Sequence, residues 1–275
     1  GKSFGFHRAL DSLGAVLGLL GAAAIVFLLQ RGDLNLAQNT FQVLVLAAIG
    51  PAVLAVLLLL WLVKEKRPQE RSADPSSTVS APAGFSLRFK IFLGVMVLFT
   101  LGNSSDAFLI LRAQSLGLSV LQILLFLVLF NMVYAALSGP AGVLSDRWGR
   151  KMVMIIGWTI YALIYLGFAL VSSPWMVGGL FVLYGLYYGA TEGVARAFVA
   201  DMVGAERRGT AYGLFNTAVG ITALPSSVIA GWLWQAIAPS APFYLGAALA
   251  GLAMLALWLL VKEKDMRFDN RPQVG

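Results

Sequence analysis

The sequence predicts an all-α polytopic membrane protein with eight transmembrane helices and both termini on the cytoplasmic side. Three observations carry this. Of 275 residues, 59% are hydrophobic and only 12% charged, against a charged share of about 25% in soluble domains. Eight stretches stay apolar over roughly 20 residues, the length that about 1.5 Å of rise per residue needs to cross about 30 Å of hydrocarbon. When alternate connections are assigned to alternate sides, the basic residues gather almost wholly on one of them.

The stretches run Ala9–Gln30, Phe41–Val63, Phe89–Leu111, Val120–Leu144, Met152–Val171, Trp175–Thr191, Ala211–Ala236 and Ala241–Val261. Membrane strands would alternate apolar and polar residues, and runs such as Leu54–Val63 do not. One side of the partition holds Lys2, Arg8, Lys64, Lys66, Arg67, Arg71, Arg88, Lys90, Arg147, Arg150, Lys151, Arg196, Arg207, Arg208, Lys262, Lys264, Arg267 and Arg271. The other holds only Arg31 and Arg112. By the positive-inside rule the crowded side is cytoplasmic. The net charge of +7 is thereby explained without nucleic acid. Cys is absent and His occurs once, which removes disulfide frameworks, thiol nucleophiles and imidazole metal clusters. No metal and no cofactor is implied, and no phosphate-binding glycine loop of the Walker type appears. The few buried charges assemble no enzyme site.

Only the connection from Lys64 to Ser86 is long and polar, with a Ser/Pro-rich centre that cannot bury enough to fold and reads as a linker. The helix pairs on the two flanks of the chain repeat one another. Gly1-Lys2-Ser3-Phe4-Gly5-Phe6 resembles Gly209-Thr210-Ala211-Tyr212-Gly213-Leu214, and Leu62-Val63-Lys64-Glu65-Lys66 matches Leu260-Val261-Lys262-Glu263-Lys264. Parallel repeats of six helices build two-bundle transporters. On that period four helices are missing upstream, so the chain reads as a fragment.

Between the fourth and fifth spans lies Gly142-Val143-Leu144-Ser145-Asp146-Arg147-Trp148-Gly149-Arg150-Lys151. This run resembles the G-x-L-x-D-R-x-G-R-[RK] cytoplasmic loop of the major facilitator superfamily of secondary transporters, at every specified position. The resemblance implies a partial two-bundle major facilitator fold, covering the last eight of twelve helices. Residues 1–63 would then be the last two helices of the N-terminal bundle, 64–87 the linker, 88–262 the C-terminal bundle and 263–275 a cytoplasmic tail. It further implies transport of a small solute by alternating access in a bacterial inner (plasma) membrane, through proton-coupled efflux of a drug or metabolite. Proton-linked uptake of a sugar or organic acid is the alternative. A non-transporting membrane interaction protein is the alternative from another class. The implied partners are the solute, a coupling proton and the bilayer.

The residues offer matching chemistry. Gly142 and Gly149 suit close helix approach and a tight turn. Asp146 suits a helix N-terminus, expected near Gly209–Thr210. Arg147, Arg150 and Lys151 would hold the loop at the lipid surface. Glu192 and Arg196, four apart on one helix face, are expected to complete a network with Arg150. In the resembling family such groups form a cytoplasmic gate, the alternative being a static staple. The first span resembles the family's exporter motif through Gly5, Gly14, Gly18 and Gly21, with Leu19, Ala22 and Ala23 departing from it; small residues there also suit tight helix packing. His7 and Asp11 lie one turn apart and form a candidate proton-sensitive pair.

Inside the third span, Gly102-Asn103-Ser104-Ser105-Asp106 is a polar, helix-weakening patch. An intramembrane Asp is a functional candidate by default. Asp106 is open to three roles: binding a substrate cation, carrying a proton, or pairing with Arg112. Asn103, Asn131, Tyr188 and Asn216 are further cavity candidates, ahead of Tyr134, Tyr161, Tyr165, Tyr184 and Tyr187.

Overall fold

A computed structural model of the chain describes residues 2–30, 33–62 and 84–261, with side chains from residue 11 onward. The linker up to residue 83, both flanking repeats' charged ends and the His7 side chain lie outside the described residues. Among the described residues there are nine α-helices, one short 3-10 turn at Ala205–Arg207 and no strand. They are α1 (Lys2–Leu29), α2 (Gln38–Leu62), α3 (Leu87–Gly102), α4 (Ala107–Ser115), α5 (Val120–Trp148), α6 (Arg150–Leu170), α7 (Pro174–Met202), α8 (Arg208–Ala236) and α9 (Ala241–Leu260). α3 and α4 are two halves of one rod, so the helices form eight rods. Seven of these are long and apolar enough to cross a membrane.

The eighth rod is α7, which the sequence reading ended at Thr191. It runs 29 residues to Met202 because Glu192, Arg196 and Asp201 find partners without leaving the helix. Its glycines, tyrosines and charges lower its hydropathy, and its position explains why that is tolerated. α7 packs along both α5 and α6 and touches α3 and α8, so protein rather than lipid covers much of it. α2 is the opposite case. Among the described residues its main packing partner is α1, and none of its most apolar stretch is buried within the chain; a helix apolar all round, with so little protein cover, suits lipid.

Aromatic side chains fill the centre between α3, α6, α7 and α9. Phe92, Phe99, Trp158, Tyr161, Tyr165, Phe168, Phe181, Tyr184 and Phe243 are all buried. Phe99 stacks on Trp158 at 4.4 Å and Tyr165 meets Phe243 edge-on at 5.6 Å. Glycines bring the backbones close at two crossings. A Cβ on Gly185 of α7 would stand 2.7 Å from the Phe130 carbonyl of α5, and one on Gly246 of α9 would stand 2.7 Å from the Gly102 carbonyl.

The glycine positions predicted from motifs behave differently. Gly149 joins α5 to α6 at φ +88°, a conformation that favours glycine, so the expected tight turn is present. Gly142 faces no atom within 4 Å, and neither do Gly14, Gly18 and Gly21. The close packing expected at these four is therefore not found among the described residues. α1 packs on α5, yet its covered stripe is Ser12, Val16, Leu19, Ala23 and Val26. That four-three spacing follows one helix face and leaves the glycine stripe open.

The connections separate into two ends. At one, the Asp33 carbonyl accepts from the Val120 amide at 3.2 Å, and Gln114 donates to the Leu34 carbonyl at 3.4 Å. These contacts join the α1–α2 and α4–α5 connections, as the alternating assignment requires. At the other end Lys151 donates to the Trp258 carbonyl at 2.8 Å, and Arg207 lies over the Phe85 ring at 4.6 Å. Arg88, Lys90, Arg147, Arg150, Arg196 and Arg208 share this basic end by connectivity.

Candidate functional site: a helix break in the membrane and a charged network at its basic end

The polar run at 102–106 interrupts the third rod. Asn103 leaves helical geometry at φ −98°, ψ 78°, while its amide still donates to the Phe99 and Thr100 carbonyls. A broken helix at membrane depth frees backbone groups that hydrocarbon cannot satisfy, so neighbouring side chains must do it. Ser226 of α8 donates to the Leu101 carbonyl at 2.9 Å, and the Ser105 amide donates to Ser227 Oγ at 3.3 Å. Tyr161 of α6 donates toward the Gly102 carbonyl and Asn103 Oδ1, both at 3.2 Å. Two helices thus satisfy the backbone groups of a break that the polar sequence itself favours.

Asp106 sits where α4 begins, yet its carboxylate does not cap that helix. It turns to α7 instead. Tyr184 donates to Asp106 Oδ1 at 2.7 Å, and Tyr188 reaches Oδ2 at 3.5 Å. Tyr184 is buried, whereas Asp106 stays exposed and Tyr188 half-buried. The pairing of Asp106 with Arg112 is not found. Arg112 points along α4 to α6, donating from Nε to the Phe168 carbonyl at 3.1 Å and from Nη2 to the Val171 carbonyl at 3.0 Å. A cation at a helix C-terminus satisfies orphan carbonyls and complements the helix dipole, which outweighs a longer reach to Asp106.

The other cavity candidates divide. Asn103 and Tyr188 join the Asp106 cluster. Asn131 turns back on its own helix, donating to the Leu127 carbonyl at 2.8 Å. Asn216 lies exposed on α8 and Asp11 exposed on α1, outside the cluster. An open apolar groove of about 740 Å³ lies between α6 and α7, lined by Gly167, Leu170, Val171, Met176 and Gly179. It shares no residue with Asp106.

At the basic end, Arg150 reaches across from α6 to α7. It pairs with Asp201 at 2.7 Å and donates to the Ala197 carbonyl. Asp146 stands 3.8 Å from Arg150 and is 72% exposed. The expected seat of Asp146 against Gly209–Thr210 is thus not adopted, because the Gly149 turn between α5 and α6 already brings Arg150 to it. Glu192 accepts from Tyr134 of α5 at 2.7 Å and lies 4.0 Å from Arg196. Arg147 is exposed. Asp201, which the sequence groups with Glu192 and Arg196 as a charge set, thus serves Arg150, and Tyr134, read there as a cavity candidate, serves Glu192. A different pattern was readable: Tyr184, Tyr188, Glu192 and Arg196 recur every four residues along α7, which puts the two tyrosines that hold Asp106 on one stripe with the Glu192–Arg196 pair.

A polytopic helical membrane protein with a broken span and a charged inner loop is the class these features define. Comparison with known proteins narrows it. The family model described as Major Facilitator Superfamily matches residues 91–273, and the chain belongs to that superfamily of transporters. It is 37% identical over 268 residues, 94% of this chain, to an uncharacterized MFS-type transporter of Methanocaldococcus jannaschii. It spans 63% of that relative's length. It is 29% identical over 150 residues to the class B tetracycline resistance protein of Escherichia coli, covering 54% of this chain and 37% of the relative. The class C protein of the same organism is 30% identical over 146 residues, covering 53% and 36%.

Proposed function

We propose that the full-length protein is a secondary transporter in the plasma membrane that exports a small solute from the cytoplasm by alternating access, in exchange for protons. Export is favoured by the relatives named for tetracycline resistance, since a membrane transporter most directly confers resistance by removing the compound. The observation that carries the reading is Asp106. A carboxylate within a span is expensive unless it has work to do, and its partners are two phenolic hydroxyls, not a cation. Arg112, the cation nearest in sequence, is engaged on α6.

A carboxylate so placed takes either a proton or a positively charged or hydrogen-bonding group of a solute. Alternation between the two couples their movements. The proton enters from outside, the solute leaves the cytoplasm, and each occupant displaces the other. The experiment is everted membrane vesicles energised to an acidic interior, with a pH-sensitive dye. Addition of a transported solute should release protons from the lumen, and Asp106→Asn should abolish the release at normal expression. Solute accumulation that proceeds unchanged after the proton gradient is collapsed would overturn proton coupling.

A further inference from the structure

The surroundings of Asp106 point to the chemical class of the solute, an inference that rests on the transporter reading above. The Tyr188 ring stands near-perpendicular to four others: Tyr184 at 5.0 Å and 78°, Tyr187 at 5.3 Å and 79°, Phe130 at 5.6 Å and 83°, Tyr134 at 6.1 Å and 87°. Phe130 and Tyr134, four residues apart on α5, are nearly parallel at 10°. The rings therefore form a corner, with Tyr188 as one wall and Phe130 and Tyr134 as the other. Half-burial of these three leaves ring surface open. Asp106 closes one side of the corner beside the Tyr188 hydroxyl. Toward the basic end it closes on a second acid, Glu192, which accepts from Tyr134.

Aromatic faces carry negative charge at their centres and attract cations whose hydration is weak enough to be lost. Asp106, held by two phenolic hydroxyls and not by a cation, repels anions there, while Glu192 beside Tyr134 is already balanced by Arg196 at 4.0 Å. A metal ion would need several oxygen or nitrogen ligands, and among the described residues no three His, Cys, Asp or Glu side chains gather. We infer that the corner of Asp106, Tyr188, Phe130 and Tyr134 binds a weakly hydrated organic cation, a quaternary ammonium or phosphonium group, as the charged part of the transported solute.

Tetraphenylphosphonium and tetraphenylborate have the same shape and opposite charge, which makes them the test pair. Equilibrium binding of radiolabelled tetraphenylphosphonium to the purified full-length protein should saturate, and tetraphenylborate should not compete. Asp106→Asn keeps an acceptor for Tyr184, so the fold should survive while affinity falls about tenfold or more. Tyr188→Phe keeps the ring face and should stay within about threefold, whereas Tyr188→Leu should lose about tenfold. Saturable binding indifferent to both Asp106→Asn and Tyr188→Leu, or equal competition by the borate, would overturn the assignment. Solute-driven proton release in vesicles is measured alongside with cationic, neutral and anionic compounds. Release by neutral or anionic compounds alone, with no phosphonium binding, overturns the cation site and leaves the exporter standing. Phosphonium binding lost in Asp106→Asn, without proton release by any compound, keeps the site and removes the exporter.

Discussion

The Tyr184 hydroxyl lies 2.7 Å from Asp106 Oδ1, and this contact across 78 residues aims the carboxylate away from its own helix and into the corner beside Tyr188. Tyr184 is buried among Tyr161, Tyr165 and Tyr187, so its ring would stay in place without the hydroxyl. A hydrogen bond to a charged group is worth about 1.5–3 kcal/mol. Tyr184→Phe should therefore raise the KM for transport by roughly tenfold or more. Because Asp106 is exposed and can rehydrate, the thermal midpoint should barely move. An unchanged KM would show that the carboxylate needs no such orientation.

Close packing makes a prediction about stability alone. A methyl on Gly185 would meet the Phe130 backbone carbonyl at 2.7 Å, while one on Gly18 would meet nothing within 4 Å. Overpacking against backbone costs about 1–3 kcal/mol. Gly185→Ala should lower the midpoint of thermal unfolding in detergent by several degrees, and Gly18→Ala should leave it unchanged. Equal effects would mean that the α1 glycine stripe is covered in the full-length protein.

The topology is open to direct labelling, since the chain contains no Cys. Asn39 and Ala205 are both exposed and lie at opposite ends of the helices. In intact cells, Cys at position 39 should react with an impermeant thiol reagent. Cys at position 205 should react only after permeabilisation. The reverse pattern would place the basic end outside and contradict the positive-inside partition.

How much of this was legible in the sequence follows from the range of each interaction. The break at 102–106 was legible, because five polar or small residues inside an apolar run cannot hold helix and hydrocarbon together. The Gly149 turn was legible for the same local reason. The continuation of α7 past its apolar span was legible in the four-residue spacing of Glu192 and Arg196, but the contact of Glu192 with Tyr134 on another helix was not. Nor was the partner of Asp106: Arg112 is nearer in the chain, but its guanidinium meets the α6 carbonyls first. The glycines of α1 misled because their spacing describes a face without saying what lies against it.

The last prediction concerns the basic end, where the resemblance to the superfamily leads us to expect a gate. Arg150 has two acidic neighbours, and their environments differ. Asp201 is 31% exposed at 2.7 Å, whereas Asp146 is 72% exposed at 3.8 Å. Exposed pairs contribute about 0–1 kcal/mol, while breaking a buried pair costs about 3–5 kcal/mol. Discounted for its partial exposure, Arg150–Asp201 falls between these, near 1–2 kcal/mol. If α6 and α7 are held together there while the cytoplasmic side is closed, Asp201→Asn should open that side more than Asp146→Asn. The readout is the rate at which Cys placed at Tyr134 or Asn131 reacts with thiol reagent in everted vesicles. Asp201→Asn should raise it about tenfold, Asp146→Asn by less than about threefold. Arg150→Gln should match Asp201→Asn, and the double mutant should add little, because both remove one shared interaction. Reaction rates unchanged in all three, at normal expression, would leave the network as a fixed tie between two helices and not a gate.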